Sequence, residues 1–224
     1  MLKASWLIAA KDLRLSLRGS QGLAQTVLMG LLLIFVFSLS RNPGEPVPAL
    51  SAAAIFWLSS MFAQVLVYNS LYGLEEHSGA RLGLVMAPSP PQSVWLGKAL
   101  AGTALLLICQ AVFAVAVVAF LGQNIAGSLL WAAGCILVVD VGLAAMGSLM
   151  GALASGKSSR ESLLTVVLFP LLIPVLLAGI RLLEAVILGK EGAVSDWLGL
   201  AAAFGAVFAA SALVLFPHLY TGEQ

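Results

Sequence analysis

Long stretches without charged residues dominate the hydrophobic pattern of this 224-residue chain. They run over residues 21–40, 46–74, 99–139, 162–180 and 197–222. A bilayer core about 30 Å thick is crossed by roughly 20 apolar residues in an α-helix, so the third stretch is too long for one helix. Its Gly122-Gln123-Asn124 and Gly127-Ser128 predict a turn. The pattern therefore predicts six spans, near residues 21–40, 49–71, 99–121, 129–153, 162–181 and 197–216.

Composition favours a chain embedded in lipid. Hydrophobic residues make up 61% of it and charged residues 9%, against roughly 25% charged in an ordinary soluble domain. Mean hydropathy is +1.04. Such a chain cannot cover a water-exposed surface with polar groups, which excludes a soluble enzyme. A net charge of +1 supplies no basic field for nucleic acid. We expect an all-α polytopic membrane protein, because helices satisfy their backbone hydrogen bonds internally.

Basic residues near the ends of the spans predict the orientation, because they concentrate on the cytoplasmic side of a membrane. With six spans, both termini share one side. The other side holds three basic residues, Arg41, Arg181 and Lys190. We therefore expect both termini, with the tail 217–224, in the cytoplasm. The side that carries the termini holds eight: Lys3, Lys11, Arg14, Arg18, Arg81, Lys98, Lys157 and Arg160.

Residues 1–20 carry apolar side chains at helical spacing, with basic residues between them. This pattern predicts an amphipathic helix lying on the cytoplasmic leaflet. A basic flank without a fold of its own is the alternative. Cleavage as a signal peptide is disfavoured, because the first span is longer than a usual signal core and Ser38-Leu39-Ser40 is a weak cleavage site.

The largest cytoplasmic connection, residues 73–98, joins an acidic pair to an apolar run that prolines end. We expect a short helix across the membrane surface that docks onto a partner, with charged side chains orienting the contact and apolar ones filling a cleft. A solvated loop with a frayed helix fits the same residues. The candidate docking residues are Glu75, Glu76, Arg81, Leu82, Val85, Met86 and Pro88.

Asp140 is the one carboxylate well inside a predicted span. An ionised carboxylate near the bilayer centre costs roughly 2.5–3.5 kcal/mol on insertion scales, so it is protonated, paired or facing water. Two interpretations stay open. Asp140 serves function, or it makes a polar packing contact with a side chain of another span, of which Gln110, Asn69 and Gln64 are candidates.

Pro170 and Pro174 lie one turn apart in the fifth predicted span. Each removes a backbone hydrogen bond and can kink a helix, which fits either a hinge or static packing. After this span, residues 181–196 combine alternating charges with the apolar patch 185–188. We expect a half-inserted helical hairpin on the outer face.

Residues 151–158 match the phosphate-loop pattern G-x-x-x-x-G-K-[ST]. A working phosphate loop follows a strand and opens a helix, whereas this match begins inside the fourth span. We therefore expect no catalytic site here. Gly147 and Gly151 are better explained as a small-residue surface for close helix packing.

The cysteines and histidines predict no metal site. Cys109 and Cys135 lie in long apolar runs and are expected to be buried, inert thiols. His77 and His218 both fall on the expected cytoplasmic side, and no Cys-x-x-Cys-His pattern occurs. Neither metal nor haem ligation by this chain alone is expected.

Three stretches, taken in order, resemble one known family. Residues 11–18, KDLRLSLR, resemble its opening motif. The sequence EEHSG at 75–79, with Leu82, Leu84 and Pro88 after it, is similar to its cytoplasmic motif, and LFPLLIPVL at 168–176 resembles its fifth span. With the N-terminal helix and six spans, the chain resembles an ABC-2-type exporter permease and, within that group, the cytochrome c maturation protein B family.

The resemblance implies a haem exporter permease subunit in a bacterial inner membrane. It implies that the chain binds no cofactor directly. ATP would be bound by a cytoplasmic ABC ATPase subunit, expected as a dimer, and segment 73–98 would be its coupling segment. Haem would be handled by a second membrane subunit, beside a small membrane subunit. ATP hydrolysis would then drive release of a haem-loaded periplasmic chaperone, which this chain meets indirectly.

Two other functions fit the same spans. An ABC-2 permease that exports a lipid, a drug or a polysaccharide would share the fold and the coupling. A non-transport scaffold, or a proton-driven secondary carrier working through Asp140, is the third possibility. Such carriers usually contain two internally related halves, and no clear repeat is visible, which disfavours the carrier.

Overall fold

The computed structural model describes residues 1–19, 21–41, 45–154, 169–190, 192 and 194–221. In these ranges six helices are long and apolar enough to cross a membrane, which confirms the predicted multi-pass helical class. A helix precedes the first of them and a short one separates the second from the third. In chain order the helices are α1 (Leu2–Arg18), α2 (Gln21–Leu39), α3 (Ala49–His77), α4 (Ala80–Val85), α5 (Pro91–Leu121), α6 (Leu129–Ala154), α7 (Ile173–Leu188) and α8 (Ser195–Thr221).

Two spans are longer than the charge pattern predicts. Helix α3 continues to His77 rather than ending near 71, and α5 begins at Pro91 rather than near 99. Pro90 precedes α5 and Pro91 occupies its first turn, where a residue without an N–H costs nothing. The difference arises because Glu75 and Lys98, which end the charge-free stretches, are paired inside the protein and so continue their helices.

The bundle has two ends, which we call the terminal face and the distal face. At the terminal face lie α1, α4 and the C-terminal end of α8, where the Arg81 guanidinium lies 5.4 Å from the centre of the Tyr220 ring. At the distal face lie the α5–α6 loop and the end of α7. There the backbone N–H of Gly127 donates to the carbonyl of Val186 over 2.9 Å.

Close packing of α3 against α6 depends on two glycines of α6. A Cβ on Gly147 would lie 2.5 Å from the Tyr68 ring, and one on Gly151 would lie 2.5 Å from the Tyr72 ring. The Tyr72 hydroxyl also hydrogen-bonds the Ser148 hydroxyl over 2.8 Å. Small residues let helix backbones approach closely in lipid, where no hydrophobic driving force operates between helices.

Helix α1 packs one side on the protein and exposes an apolar side. Its buried side lies against α5, where a Cβ on Gly97 would be 2.8 Å from Cβ of Ile8. The opposite side exposes Trp6 (67%) and Leu7 (65%), with basic side chains close by in sequence. This is the arrangement of a helix that lies in a membrane interface.

The fifth span and the segment after it differ from the prediction. Residues 162–168 lie outside the described ranges, and a 3-10 turn, Phe169–Leu172, leads into α7. Pro170 lies in that turn, and Pro174 lies in the first turn of α7, where a proline is tolerated and does not kink the interior of α7. Helix α7 continues through the apolar patch 185–188 and ends at Gly189, whose φ of 67° suits glycine.

The structure therefore corrects the outer hairpin predicted at 181–196. Most of that segment belongs to α7, and α8 begins at Ser195, so the described residues leave only a short connection. The Arg181 guanidinium and the Glu184 carboxylate, which made the segment look like a separate polar unit, pair with each other over 3.0 Å along α7.

Substituting Gly147 by alanine tests the α3–α6 contact. The new methyl would press on the Tyr68 ring and on Nε2 of Gln64, 2.8 Å from the new Cβ. Overpacking of this kind costs about 1–3 kcal/mol, so the midpoint of thermal unfolding in detergent should fall. Gly134→Ala in the same helix is the control, because nothing lies within 4 Å of its Cβ position. Equal unfolding midpoints for the two variants would refute this packing.

Candidate functional site

The connecting segment, residues 78–90, links α3 to α5 at the terminal face. Helix α3 ends at His77, and Gly79, with φ of 69°, redirects the chain into the six-residue α4. Beyond α4, Met86 is 80% exposed and Pro88 is exposed, while Val85 and, before the segment, Glu76 are half-buried. The segment thus presents an apolar projection with an acidic side chain close to it in sequence, as a docking element does.

Arg81 joins this segment to the last helix. Its guanidinium lies over the Tyr220 ring, and that ring stacks on Phe216 at 5.0 Å. Burial raises the pKa of the Tyr220 hydroxyl, the Glu75 charge raises it further, and the Arg81 charge lowers it. The ring therefore stays neutral and offers its face to the cation. This contact joins α4 to the C-terminal end of α8.

Beneath the connecting segment lies a charge cluster that we call the four-charge cluster: Lys11, Asp12, Glu75 and Lys98. Nζ of Lys98 lies 3.3 Å from Oδ2 of Asp12 and 3.0 Å from Oε2 of Glu75. Nζ of Lys11 lies 2.9 Å from Oδ1 of Asp12 and 2.8 Å from Oε1 of Glu75. Each lysine thus bridges both carboxylates, and the ring of alternating charges ties α1, α3 and α5 together.

Three oxygen acceptors surround the ammonium group of Lys98. Besides the two carboxylates, it donates to the carbonyl of Leu71 over 2.8 Å, and its Nζ lies 4.6 Å from the centre of the Tyr72 ring. The side chain is 0% exposed. A buried ammonium is tolerated only with this degree of compensation, because desolvation alone costs several kcal/mol per ion.

Lys11 closes the cluster on its solvent side. Burial lowers the pKa of Lys11, but hydrogen bonds and attraction from Glu75 and Asp12 outweigh it, so the pKa stands above the ordinary 10.5. A group whose pKa rises on folding stabilises the folded state below its unfolded pKa and loses that effect as pH rises through the folded value. Lys11 therefore stays charged at physiological pH.

The structure places the predicted docking residues in two groups. Glu76, Arg81, Val85, Met86 and Pro88 lie on or next to the connecting segment, and the side chain of Leu82 is outside the described part. Glu75 belongs instead to the four-charge cluster and is buried, with Lys11 from the middle of α1 and Lys98 from the N-terminal part of α5 paired to its carboxylate. Its carboxylate is therefore not presented at the surface of the described chain.

Sequence reasoning did not single out Asp12 and Lys98 as partners. Lys98 was used only as a basic residue next to a predicted span, as evidence for orientation. Asp12 was noted only as part of the motif at residues 11–18. A signal was present: two acidic residues and two basic ones stand at three separate places that each adjoin a predicted helix. Opposite charges at membrane edges commonly pair, but the sequence does not show which of them lie close together in the folded chain.

Asp140 and Gln110 meet between the central parts of α6 and α5. Nε2 of Gln110 donates to Oδ1 of Asp140 over 2.9 Å, and Asp140 is wholly buried. Of the other candidates, Gln64 donates to the carbonyl of Leu143 over 2.7 Å, and Asn69 is exposed. The contact expected for Asp140 is therefore with Gln110.

The remaining predictions fall as follows. Gly151 packs on Tyr72, while residues 155–158 of the phosphate-loop match lie outside the described ranges. Cys109 and Cys135 are buried and are not joined by a disulfide. Within the described ranges no three His, Cys, Asp or Glu side chains gather as a metal site would require.

Lys98→Met tests the four-charge cluster. It leaves two buried carboxylates facing one lysine, and breaking a buried pair in this way costs about 3–5 kcal/mol. We expect a marked drop in the thermal unfolding midpoint. Lys3→Met, which removes an exposed lysine of α1, is the control. The double variant Lys98→Met with Glu75→Gln restores neutrality and should recover part of the loss; no recovery would mean that charge balance is not what Lys98 supplies.

Comparison with known proteins agrees with this architecture. The sequence profile of the family described as CcmB protein matches residues 3–218. Heme exporter protein B of Rhodobacter capsulatus is 29% identical over 213 residues, which cover 93% of this chain and 94% of that relative. The match includes α1, the connecting segment and all six spanning helices, and the chain therefore belongs to the CcmB protein family.

Proposed function

We propose that this chain couples ATP hydrolysis in a separate, dimeric ABC ATPase subunit to rearrangement of its six membrane helices. As a CcmB protein it is the membrane permease subunit of a haem export and cytochrome c maturation system. The chain then supplies no ATPase of its own. ATP is bound by the cytoplasmic subunit, and haem is handled by a partner membrane subunit before it reaches the periplasmic chaperone.

The observation that carries the proposal is that the four-charge cluster joins the two helices between which the connecting segment runs. Met86 and Pro88 are exposed to a partner, while Glu75 and Lys98, at the two roots of the segment, are joined to each other at 3.0 Å. A force on the segment therefore does not simply separate the C-terminal end of α3 from the N-terminal end of α5, because the Glu75–Lys98 pair holds these ends together. It moves the ends of α3 and α5 together, and Asp12 carries α1 with them.

A second link transmits the same motion to the opposite side of the bundle. Arg81 of α4 contacts Tyr220 of α8, and α8 in turn lies along α6, where Gly142 and Gly205 approach each other closely. Closure of the ATPase dimer would thus reach α3, α5 and α8 from one docking point. Rigid helices with two alternative packings are the usual means by which such a push becomes a change of access.

The orientation follows the distribution of basic residues. Lys3, Arg14 and Arg18 of α1, with Arg81, lie at the terminal face. The positive-inside tendency assigns that face to the cytoplasm of the inner membrane, where an ATPase is available to dock. The exposed apolar side of α1 then rests in the inner leaflet, and its arginines and lysine meet anionic headgroups.

Met86→Asp tests the docking surface. Its side chain is 80% exposed, so the substitution leaves folding intact and places a charge in the apolar contact. Truncating or charging a central contact typically costs more than 2 kcal/mol of binding, so recovery of the ATPase subunit with this chain should fall by about tenfold or more. Covalent c-type cytochromes should fall in parallel in cells that depend on the variant.

His218→Asp is the matched control, because His218 is also exposed near the terminal face but lies outside the connecting segment. It should leave both readouts close to wild type. Normal recovery of the ATPase with Met86→Asp would refute docking through this segment. Normal cytochromes in cells without the chain, with loss of another exported lipid, drug or polysaccharide, would refute the haem system and leave the coupling proposal standing.

A further inference from the structure

Asp140 lies near the centre of α6, a helix whose sequence contains no other charged residue. At 1.5 Å per residue, it stands about 16 Å from the start of α6 at Leu129 and about 21 Å from the end at Ala154. The residue is 0% exposed. Neither water nor a lipid headgroup therefore reaches its carboxyl group in the described bundle.

The surroundings of Asp140 differ from those of the other two buried carboxyl groups. Asp12 and Glu75 each lie within 3.3 Å of both lysines of the four-charge cluster. Asp140 receives one hydrogen bond, from Nε2 of Gln110 over 2.9 Å, and its Oδ2 has no hydrogen-bond partner among the described residues. Within the described ranges Asp140 takes part in no ion pair. As a carboxylate it would be a buried charge without a counter-charge.

The helices packed against α6 bring no cation to Asp140 in the described part of the chain. In α7, Arg181 pairs with Glu184. Lys98 precedes Gln110 in α5 by 12 residues, a rise of about 18 Å. Tyr68 of α3 feels the charge of Asp140, but a tyrosine is neutral or negative and cannot balance a carboxylate. The other titratable side chains described on α3, α5, α6 and α8 are Tyr72, Glu75, Glu76, Cys109, Cys135, Asp196, His218 and Tyr220.

We infer that Asp140 is a buried proton-binding site, with the proton on Oδ2 while Oδ1 accepts the hydrogen bond from Gln110. A neutral acid leaves one hydroxyl without a partner. A carboxylate would leave an unbalanced charge in the same apolar surroundings, which costs far more free energy. The proton therefore lets α5 and α6 meet at this pair, and the contact weakens when Asp140 ionises. The site is independent of the ATPase docking proposed above, and it requires no proton transport.

Nuclear magnetic resonance tests the inference directly, because the chain contains three aspartates: Asp12, Asp140 and Asp196. Asp12 is ion-paired and Asp196 is exposed, so both are charged near neutral pH. With carbon-13 placed only in aspartate side-chain carboxyl groups, a neutral acid and a carboxylate give separate signals. For the full-length chain in proteoliposomes near neutral pH, we expect one third of the signal intensity from a neutral acid.

Two variants assign the neutral signal. Asp140→Asn should remove it and keep the charged signals. Asp196→Asn is the matched control, because it removes an exposed aspartate and should leave the neutral signal in place. A wild type whose three aspartates are all charged would overturn the inference without any variant. A neutral signal that persists in Asp140→Asn would overturn it as well.

The pH dependence of stability provides a test without a label. Above the ordinary aspartate pKa of about 3.9, the unfolded chain has released the proton that the folded chain still holds. The ratio of folded to unfolded chain, measured in mixed micelles relative to Asp140→Asn, should therefore fall about tenfold per pH unit as pH rises. We expect a fall of about a hundredfold between about pH 5 and about pH 7. A constant ratio over that range would mean that folded Asp140 is charged, which would overturn the inference.

Discussion

Charge neutrality inside an apolar bundle is the constraint on which this structure depends. Lys98 and Glu75 lie within the two longest described helices, close to the apolar spans, where an isolated charge is costly. If either residue lacked an oppositely charged partner, we would expect its helix to end at the membrane edge. Asp12 and Lys11, brought by a helix from outside the spans, make the set neutral. The ends of α3 and α5 can therefore continue past the hydrocarbon as one braced unit.

That neutral set also explains why the first helix packs as it does. Only a narrow side of α1 faces the protein, and that side contains Asp12, with Ile8 fitted against Gly97. The broad apolar side is left for lipid. An interfacial helix held only by its apolar side would slide along the membrane surface. A buried ion pair fixes its register, which is the best-attested contribution of such pairs, since their net stabilisation is small.

The polar groups deeper in the bundle follow a different rule. Gln64, Tyr68 and Ser148 each direct hydrogen bonds to backbone carbonyls of neighbouring helices, and so hold helices together without charge. In the Asp140–Gln110 pair, Oδ2 of Asp140 and Oε1 of Gln110 are buried acceptors without a hydrogen-bond partner among the described residues. Oε1 of Gln64 is likewise a buried acceptor without a hydrogen-bond partner among the described residues.

Hydropathy alone determined the six spans, the amphipathic first helix and the short helix between the second and third spans, because bilayer thickness and helical periodicity act on each segment separately. Motif order sufficed for the family. Only the tertiary structure decided which polar groups pair. Lys98 is buried between Glu75 and Asp12. Asp140 accepts a hydrogen bond from Gln110, and not from Gln64 or Asn69. Pairing depends on the rotation and depth of several helices at once, and no single segment of sequence encodes that geometry. The same reason applies to Pro174. The sequence suggested that it could kink a helix, but it lies in the first turn of α7, because the start of a helix depends on what packs beside it.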